Sequence, residues 1–131
     1  MTHPTQSAAY REAEVLVASP GRLVVITFDA LLKCMERARI GIAESNYDIL
    51  LPALEQSQAL LGDLLVTLDR ESGGEIARRL AALYAFVMTE LLAIATTRDV
   101  RRLERNMSIV RELRGAFAQE KATHTPQEAV A

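Results

Sequence analysis

Cysteine, histidine and tryptophan are scarce or missing in this 131-residue chain. Cys34 is the only cysteine, which excludes an internal disulfide and fits a reducing compartment. Tryptophan is absent and aromatic residues make up 5% of the chain, so we expect an aliphatic core. The two histidines, His3 and His124, lie in the tails, and the body therefore offers no imidazole to hold a metal or activate a nucleophile. These shortages predict a cytoplasmic protein that is not an enzyme and has no metal or cofactor.

Strong net charge and long uninterrupted apolar runs are missing as well. The formal charge is −2, so no overall field would recruit nucleic acid or an anionic membrane. Asp29, Lys33 or Glu90 interrupts the longest apolar runs, which predicts no membrane span, and the polar first residues predict no secretory signal. One stripe of arginines could grip phosphates, but Asp99 and Glu104 interleave with it, so we favour a solvated face over RNA binding. The stripe consists of Arg98, Arg101, Arg102 and Arg105.

Apolar residues recur every three or four positions along most of the chain, which predicts helices and no strands. Short turns, including one at Gly73-Gly74, force consecutive helices to be antiparallel. The fold class is therefore all-α, an antiparallel up-down four-helix bundle with a short extra N-terminal helix. The predicted helices run from Ser19 to about Ala43, from between Asn46 and Pro52 to near Asp69, from about Glu75 to Thr96, and from about Asp99 to Lys121. Asn46 or Asp48 is the predicted cap of the second helix, and Asp99 or Thr97 is that of the fourth.

The apolar stripes of these helices predict the core residues, since a packed helix buries one face. Two stripe members, Tyr47 on the second helix and Ile76 on the third, lie near helix starts. The other predicted core positions are Val24, Phe28, Leu31, Met35, Ala38, Ile42, Leu50, Leu54, Ser57, Leu61, Leu64, Leu68, Leu80, Leu83, Val87, Leu91, Ile94, Val100, Leu103, Met107, Val110, Leu113 and Phe117.

The predicted domain organisation is simple. Residues 1–7 are polar and are expected to be flexible, and residues 122–131 are expected to form a disordered tail. Between them, residues 8–121 form a single helical-bundle domain. Its first segment, Ala8 to Val17, reads as an amphipathic helix that is too short to be stable unless it docks on the bundle.

The stretch from Val15 to Met35 organises the rest of the chain. Ser19 can cap a helix and Pro20 suits its first position, after which the sequence is apolar nearly all the way round. We therefore expect this helix to be central and covered on more than one side. Asp29 within it is best explained by an ion pair at a helix edge, with a direct functional role as the alternative, and Glu90 is interpreted in the same way.

Apolar surface exceeds what the core of one small bundle would use. The first and third helices carry the surplus, and the N-terminal segment resembles a detachable cover over it. Apolar surface that a monomer cannot bury usually marks a partner site, and an amphipathic helix laid in a groove is one common partner. The residues alone thus predict a helical bundle that binds other helices.

Several motifs in order resemble the flagellin-specific export chaperones of the FliS family. They are Ala9-Tyr10, the run from Val15 to Pro20, Leu23-Val24 and Phe28-Asp29, then GGEIARRLAALYAF from Gly73, and finally Asp99-Val100, Leu103 and Leu113-Arg114. The likeness covers about residues 8 to 118. The chain departs from the family pattern at four positions, which bear on individual contacts more than on the class. These positions are Ala30, where the family has Gly, Arg79 and Thr96, where it has Asn, and Phe117, where it has Trp.

The resemblance implies a cytoplasmic chaperone that binds the C-terminal segment of flagellin, prevents premature polymerisation and aids delivery to the type III export apparatus. A component of the export gate is a second implied partner, whereas nucleic acid and membrane are not expected. The alternative is a structural or regulatory bundle that works as a homodimer through the same surface. The predicted partner-binding residues are Tyr10, Val15, Leu16, Ser19, Pro20, Leu23, Phe28 and Asp29.

Overall fold

A computed structural model describes the backbone over residues 20–130 and the side-chain surroundings over 21–69 and 71–119. Across this part of the chain the structure is helical throughout, with four helices and no strand, as the sequence predicts. The predicted N-terminal helix, Ala8 to Val17, lies outside the described residues. The helices are α1, Pro20–Ala43; α2, Tyr47–Val66; α3, Arg70–Thr97; and α4, Val100–Val130.

The structure of the connection between α1 and α2 shows that α2 begins at Tyr47. Asn46 is its N-cap, and its side-chain Oδ1 accepts a hydrogen bond from the Asp48 backbone N–H at 3.0 Å. Ser45 just before it has a φ of 50°, the left-handed conformation that reverses the chain in so short a turn. Pro52 consequently lies inside α2 instead of in its first turn. Asn46, one of the predicted caps, is confirmed in this role.

A break near the start of α3 lies where the sequence predicts a turn. Asp69 caps the first residues by accepting a hydrogen bond from the Ser72 backbone N–H at 3.1 Å. Gly74 then leaves the helical conformation with φ 54° and ψ −128°. A glycine adopts this positive φ without a Cβ clash. The regular part of α3 thus follows Gly74, close to the predicted start, while a short helical turn precedes it.

The last helix begins as predicted but continues further. Asp99 caps it, with Oδ1 accepting from the Arg101 and Arg102 backbone N–H groups at 3.1 and 3.2 Å. The backbone stays helical past Lys121 to Val130, where the sequence predicts irregular chain. Extending an existing helix needs no new nucleus, which explains why this polar segment follows α4 despite Pro126.

The core is built around α1, which packs against both α2 and α4, while α3 packs against the same two helices. The Phe28 ring is completely buried, with its centroid 6.2 Å from that of Tyr84 and 5.5 Å from that of Phe117. Most of the predicted stripe residues join this core. The first helix is covered on more than one side, as expected, although Ile26 is 48% exposed.

Among the described residues, two helices are long and apolar enough to cross a membrane by length and composition alone. They are Tyr47–Val66 and, within α3, Glu71–Thr97, with mean hydropathies of 1.2 and 1.7. Charged residues interrupt both stretches, Glu55 the first and Glu90 the second. Length and composition are weak evidence for a membrane span, because the core helices of other proteins pass the same test. Both helices contribute buried side chains, such as Leu54 and Leu91, to the core.

Gly41 provides a sharp test of the packing between α1 and α2. A Cβ atom at Gly41 would lie 2.8 Å from the backbone nitrogen of Leu50 and 2.9 Å from its Cα, so one helix would have to move. We expect Gly41→Ala to lower the free energy of unfolding by about 1–3 kcal/mol, as overpacking does. Urea denaturation followed by circular dichroism measures the change.

Gly62→Ala is the matched control. It lies within α2, and an added Cβ there would meet nothing within 4 Å. Because alanine has the better helix propensity, this substitution should raise the free energy of unfolding by about 0.5–1 kcal/mol. Equal effects of the two substitutions would contradict the close approach at Gly41.

Candidate functional site

The predicted partner-binding residues divide into two groups. Tyr10, Val15, Leu16 and Ser19 lie outside the described residues, and the structure therefore places only the other four. Pro20 opens α1, as a proline at the first helical position should. On the same helix Leu23 is partly buried, Phe28 is completely buried and Asp29 is partly exposed. Within this group, Leu23 and Asp29 retain surface that a partner could reach.

Asp29 is paired with Arg114, which joins α1 to α4. The Arg114 Nε donates to Asp29 Oδ1 at 2.8 Å and its Nη2 donates to Oδ2 at 3.4 Å. These hydrogen bonds hold the pKa of the Asp29 carboxyl below its usual value. Both side chains remain partly exposed, at 46% and 41%. The favoured interpretation of Asp29, an ion pair at a helix edge, is confirmed.

The Glu90 side chain is less exposed than that of Asp29, and it has two hydrogen-bond partners on α4. Arg102 Nε and Nη2 donate to its two carboxylate oxygens at 2.9 and 2.7 Å, and Asn106 Nδ2 donates to Oε1 at 3.1 Å. The Glu90 side chain is 15% exposed. Hydrogen bonds from Arg102, and then from Asn106, lower its pKa to about 2. The structural interpretation of Glu90 is confirmed as well.

The predicted arginine stripe is partly engaged inside the protein, and its first member, Arg98, caps the end of α3 instead of lying on α4. Arg102 holds Glu90, and the Arg98 guanidinium carbon lies 5.1 Å from the centroid of the Tyr47 ring, a cation–π contact. Arg101 and Arg105 are exposed. Two of the four arginines are thus committed to neighbouring helices, which favours a structural and solvated face over a continuous phosphate-binding stripe.

Apolar side chains remain on the surface, most of them on α2 and α3. Val66, Ile76 and Leu92 are 85%, 71% and 68% exposed. The predicted core places of Tyr47 and Ile76 are wrong, because both side chains face away from the core, whereas Leu50 and Ala77 close to them in the chain are buried. Within the part of the chain whose side chains the structure describes, the large apolar residues that are exposed are Ile26, Ile40, Tyr47, Leu51, Val66, Ile76, Phe86 and Leu92.

Three of these side chains lie along the edge between α2 and α3. The Gln58 side-chain Nε2 donates to the Met88 carbonyl at 2.8 Å, and Arg98 stacks on Tyr47, so residues 47–58 lie alongside 88–98. Leu51 belongs to that stretch of α2 and Leu92 to that stretch of α3. We call Tyr47, Leu51 and Leu92 the α2–α3 patch. Sequence reasoning missed Leu51 and Leu92, and their positions outside the core stripes were the signal that could have identified them.

A second surface feature is an open groove of about 460 Å³ between α1 and α4, here called the α1–α4 groove. Its apolar part comes from both helices and its rim is charged. Glu36 at the rim is bound by Arg39, whose Nε lies 3.0 Å from Glu36 Oε1, and these hydrogen bonds lower the Glu36 pKa. The lining residues are Leu32, Lys33, Glu36, Arg37, Ile40, Met107 and Arg111.

The chemistry available in the described part of the chain is that of binding. Among its residues no three or more His, Cys, Asp or Glu side chains are grouped to hold a metal. Cys34 is buried, with its Sγ 3.6 Å from Gln56 Oε1. What the geometry does offer is apolar and charged helix surface, the kind that docks other helices. The fold and surface together define an all-helical protein with exposed docking faces.

Comparison with known proteins gives this class a family. The sequence profile described as flagellar protein FliS matches residues 1–124, and the chain belongs to this family. Curated relatives named flagellar secretion chaperone FliS include those of Escherichia coli, 29% identical, and Salmonella typhimurium, 28% identical. The aligned regions cover 81% of this chain and 79% of the first relative, and 82% and 81% for the second. The resemblance in the sequence motifs is thereby confirmed.

The Glu90 pair predicts a specific dependence of stability on pH. Its folded pKa of about 2 lies below the unfolded value of 4.5, so the pair stabilises the fold above pH 4.5 and is lost as pH falls towards about 2. Glu90→Gln should therefore be less stable than the parent near neutral pH, and the difference should shrink across that acid range. Urea denaturation at a series of pH values measures it.

Glu112→Gln serves as the matched control, because Glu112 is an exposed carboxylate on α4, the helix that carries the partners of Glu90. The free energy of unfolding of Glu112→Gln should differ little from that of the parent at every pH. If the deficit of Glu90→Gln remained constant from neutral pH down to about pH 2, the carboxylate would not be the stabilising partner that the hydrogen bonds indicate.

Proposed function

We propose that this protein is a cytoplasmic export chaperone for flagellin. It binds the C-terminal segment of flagellin, prevents its premature polymerisation and aids its delivery to the flagellar type III export apparatus, where a gate component is a second partner. Membership of the FliS family supports the proposal, as does the name flagellar secretion chaperone carried by the relatives. The observation that carries it is the set of eight large apolar side chains left exposed on otherwise well-packed helices.

The area that a client must cover explains why these side chains are spread over several helices. Association and ordering of a flexible segment cost on the order of 6–20 kcal/mol. Burial of apolar surface returns about 25 cal/mol per Å², so roughly 250–800 Å² of apolar surface must be covered to offset that cost. A client segment that reaches Ile26, Ile76 and Phe86 as well as the α2–α3 patch covers more of this area than a segment confined to the patch.

The proposed architecture is an antiparallel up-down four-helix bundle with the N-terminal segment Ala8 to Val17 docked on it as a helix. Contacts between helices support the antiparallel order: Tyr47 meets Arg98 while Gln58 meets Met88, so α3 returns along α2. In this arrangement residues 8–121 form one domain, residues 1–7 are flexible, and the last residues are a tail outside the domain.

The proposed contact residues are those of the N-terminal segment together with the start of α1. Leu23 and Asp29 have exposed surface to offer, whereas the completely buried Phe28 contributes through the fold. The N-terminal segment acts as a lid that covers apolar surface in the free protein and yields it to flagellin. Tyr10, Val15, Leu16, Ser19 and Pro20 belong to this lid and its hinge.

The second candidate is a homodimeric structural or regulatory protein without a flagellin client. The same exposed apolar side chains favour it, because two copies could cover them in each other. Both functions use one surface, and they differ in what occupies it.

Mixing the full chain with a peptide of the flagellin C-terminal segment separates these candidates. We expect a stoichiometric complex, detected by size-exclusion chromatography with light scattering and by titration calorimetry. A stable dimer that ignores the peptide would contradict the chaperone function and support the homodimer.

Variants of the same chain test which surface is used. Leu23→Asp and Leu92→Asp should leave the protein folded and weaken peptide binding by about tenfold or more, because each buries a charge in the complex. Arg101→Asp, on the exposed face of α4, is the control and should bind normally. Phe28→Asp should unfold the protein, since Phe28 lies in the core. A folded Phe28→Asp protein with full binding would contradict the central role of α1.

Deletion of residues 1–17 tests the lid. Without the lid, apolar surface is uncovered in the free protein, so the fluorescence of an apolar dye such as ANS should rise. The affinity for the flagellin peptide should also change, because the lid and the peptide no longer compete for the same surface. Dye fluorescence and peptide affinity that both remain unchanged would show that the segment is not a lid.

A further inference from the structure

The α1–α4 groove differs in chemistry from the exposed apolar side chains that support the proposed function. Its apolar floor is provided by Leu32 and Ile40 from α1 and by Met107 from α4. Ile40 is 37% exposed, whereas Met107 is 2% exposed and closes the bottom of the groove. The groove and the α2–α3 patch share no helix, so one partner can occupy either surface without displacing another from the second.

Basic side chains dominate the rim of this groove. Glu36 is the one carboxylate among the lining residues, and Arg39 already binds it. Counting the lining residues and the charged groups that interact directly with them gives four basic side chains against two acidic ones. The basic ones are Lys33, Arg37, Arg39 and Arg111, and the acidic ones are Asp29 and Glu36. The local charge is therefore positive, opposite in sign to the −2 of the whole chain.

The shape of the groove suits a helix better than a small molecule. Lys33, Glu36, Arg37 and Ile40 are spaced i, i+3, i+4 and i+7, so the α1 wall runs along two helical turns, about 10 Å. The groove is open to solvent along this length, whereas sites for small molecules enclose most of the ligand. A helix laid between two others places one apolar stripe on the floor and its flanking residues against the rim.

We propose that the α1–α4 groove is a second docking site, and that its partner is an acidic amphipathic helix of another protein. The apolar stripe of that helix covers Leu32, Ile40 and Met107, and carboxylates beside the stripe face Lys33, Arg37 and Arg111. Complementary charge sets the orientation and speeds association, while apolar contact supplies most of the affinity. This site is independent of whether flagellin is the client.

A pair of synthetic peptides tests this site on the full-length protein. The first is a helix of about 18 residues with one leucine stripe flanked by glutamates, and the second has lysine at every glutamate position. Fluorescence anisotropy measures both. We expect the glutamate peptide to bind at least about tenfold more tightly than the lysine peptide, and its affinity to fall with added salt as the charges are screened.

Charge reversal within the groove distinguishes a docking site from general stickiness. The double variant Arg37→Glu, Arg111→Glu should weaken the glutamate peptide by about tenfold and strengthen the lysine peptide. The matched control is Arg78→Glu, Arg101→Glu, which reverses two exposed arginines on α3 and α4 outside the groove and should change neither affinity. Thermal unfolding checks that both variants remain folded, and Ile40→Asp provides a second change in the groove floor that should weaken the glutamate peptide.

Three results would overturn the proposal. Equal binding of the two peptides, or no binding of either, would remove the charge complementarity. An unchanged affinity in both the charge-reversed variant and Ile40→Asp would place the peptide elsewhere. Competition between the glutamate peptide and a flagellin C-terminal peptide would mean that the groove belongs to the client surface. Simultaneous binding of both peptides supports a second site. If the protein bound the glutamate peptide in the groove but not the flagellin peptide, the proposed function would fail and the groove proposal would stand.

Discussion

The complete burial of Phe28 is the constraint on which the rest of the structure depends. Its ring, on α1, contacts the rings of Tyr84 on α3 and Phe117 on α4, so three of the six aromatic residues in the chain form one cluster. Burying such a ring contributes about 1.5–3 kcal/mol, and the aliphatic side chains of α2 complete the enclosure. Because the shared interior is filled in this way, the outer faces of the helices are available for partners.

Those outer faces divide the surface into two chemically different parts. The α2–α3 patch is apolar, with Arg98 packed over one of its rings, whereas the α1–α4 groove combines an apolar floor with a positive rim. Recognition of other chains by shape, apolar area and charge is what such surfaces provide, which agrees with the membership of the FliS family.

Periodicity and capping residues were enough to predict the helices, because local chemistry decides them. Asn46 and Asp99 accept first-turn N–H groups as expected, and Gly74 adopts the positive φ that a turn requires. The path of the chain beyond Lys121 was not foreseen. The predicted core was wrong at Ile76, which is exposed while the adjacent Ala77 is buried, because spacing alone left open which of two neighbouring residues faces the core. The α1–α4 groove could not be predicted at all, since Lys33 and Arg111 meet there only after folding.

The Glu90 hydrogen bonds have a consequence for how α3 and α4 can move. Apolar side chains would pack almost as well after a slip of one helix along the other, but directional bonds to Arg102 and Asn106 would not. A slip of one turn, about 5.4 Å, would leave the Glu90 carboxylate without its partners although its side chain is only 15% exposed. Glu90 therefore fixes the longitudinal register of these helices, so that a partner wedged between exposed side chains can tilt or separate them but cannot ratchet one past the other.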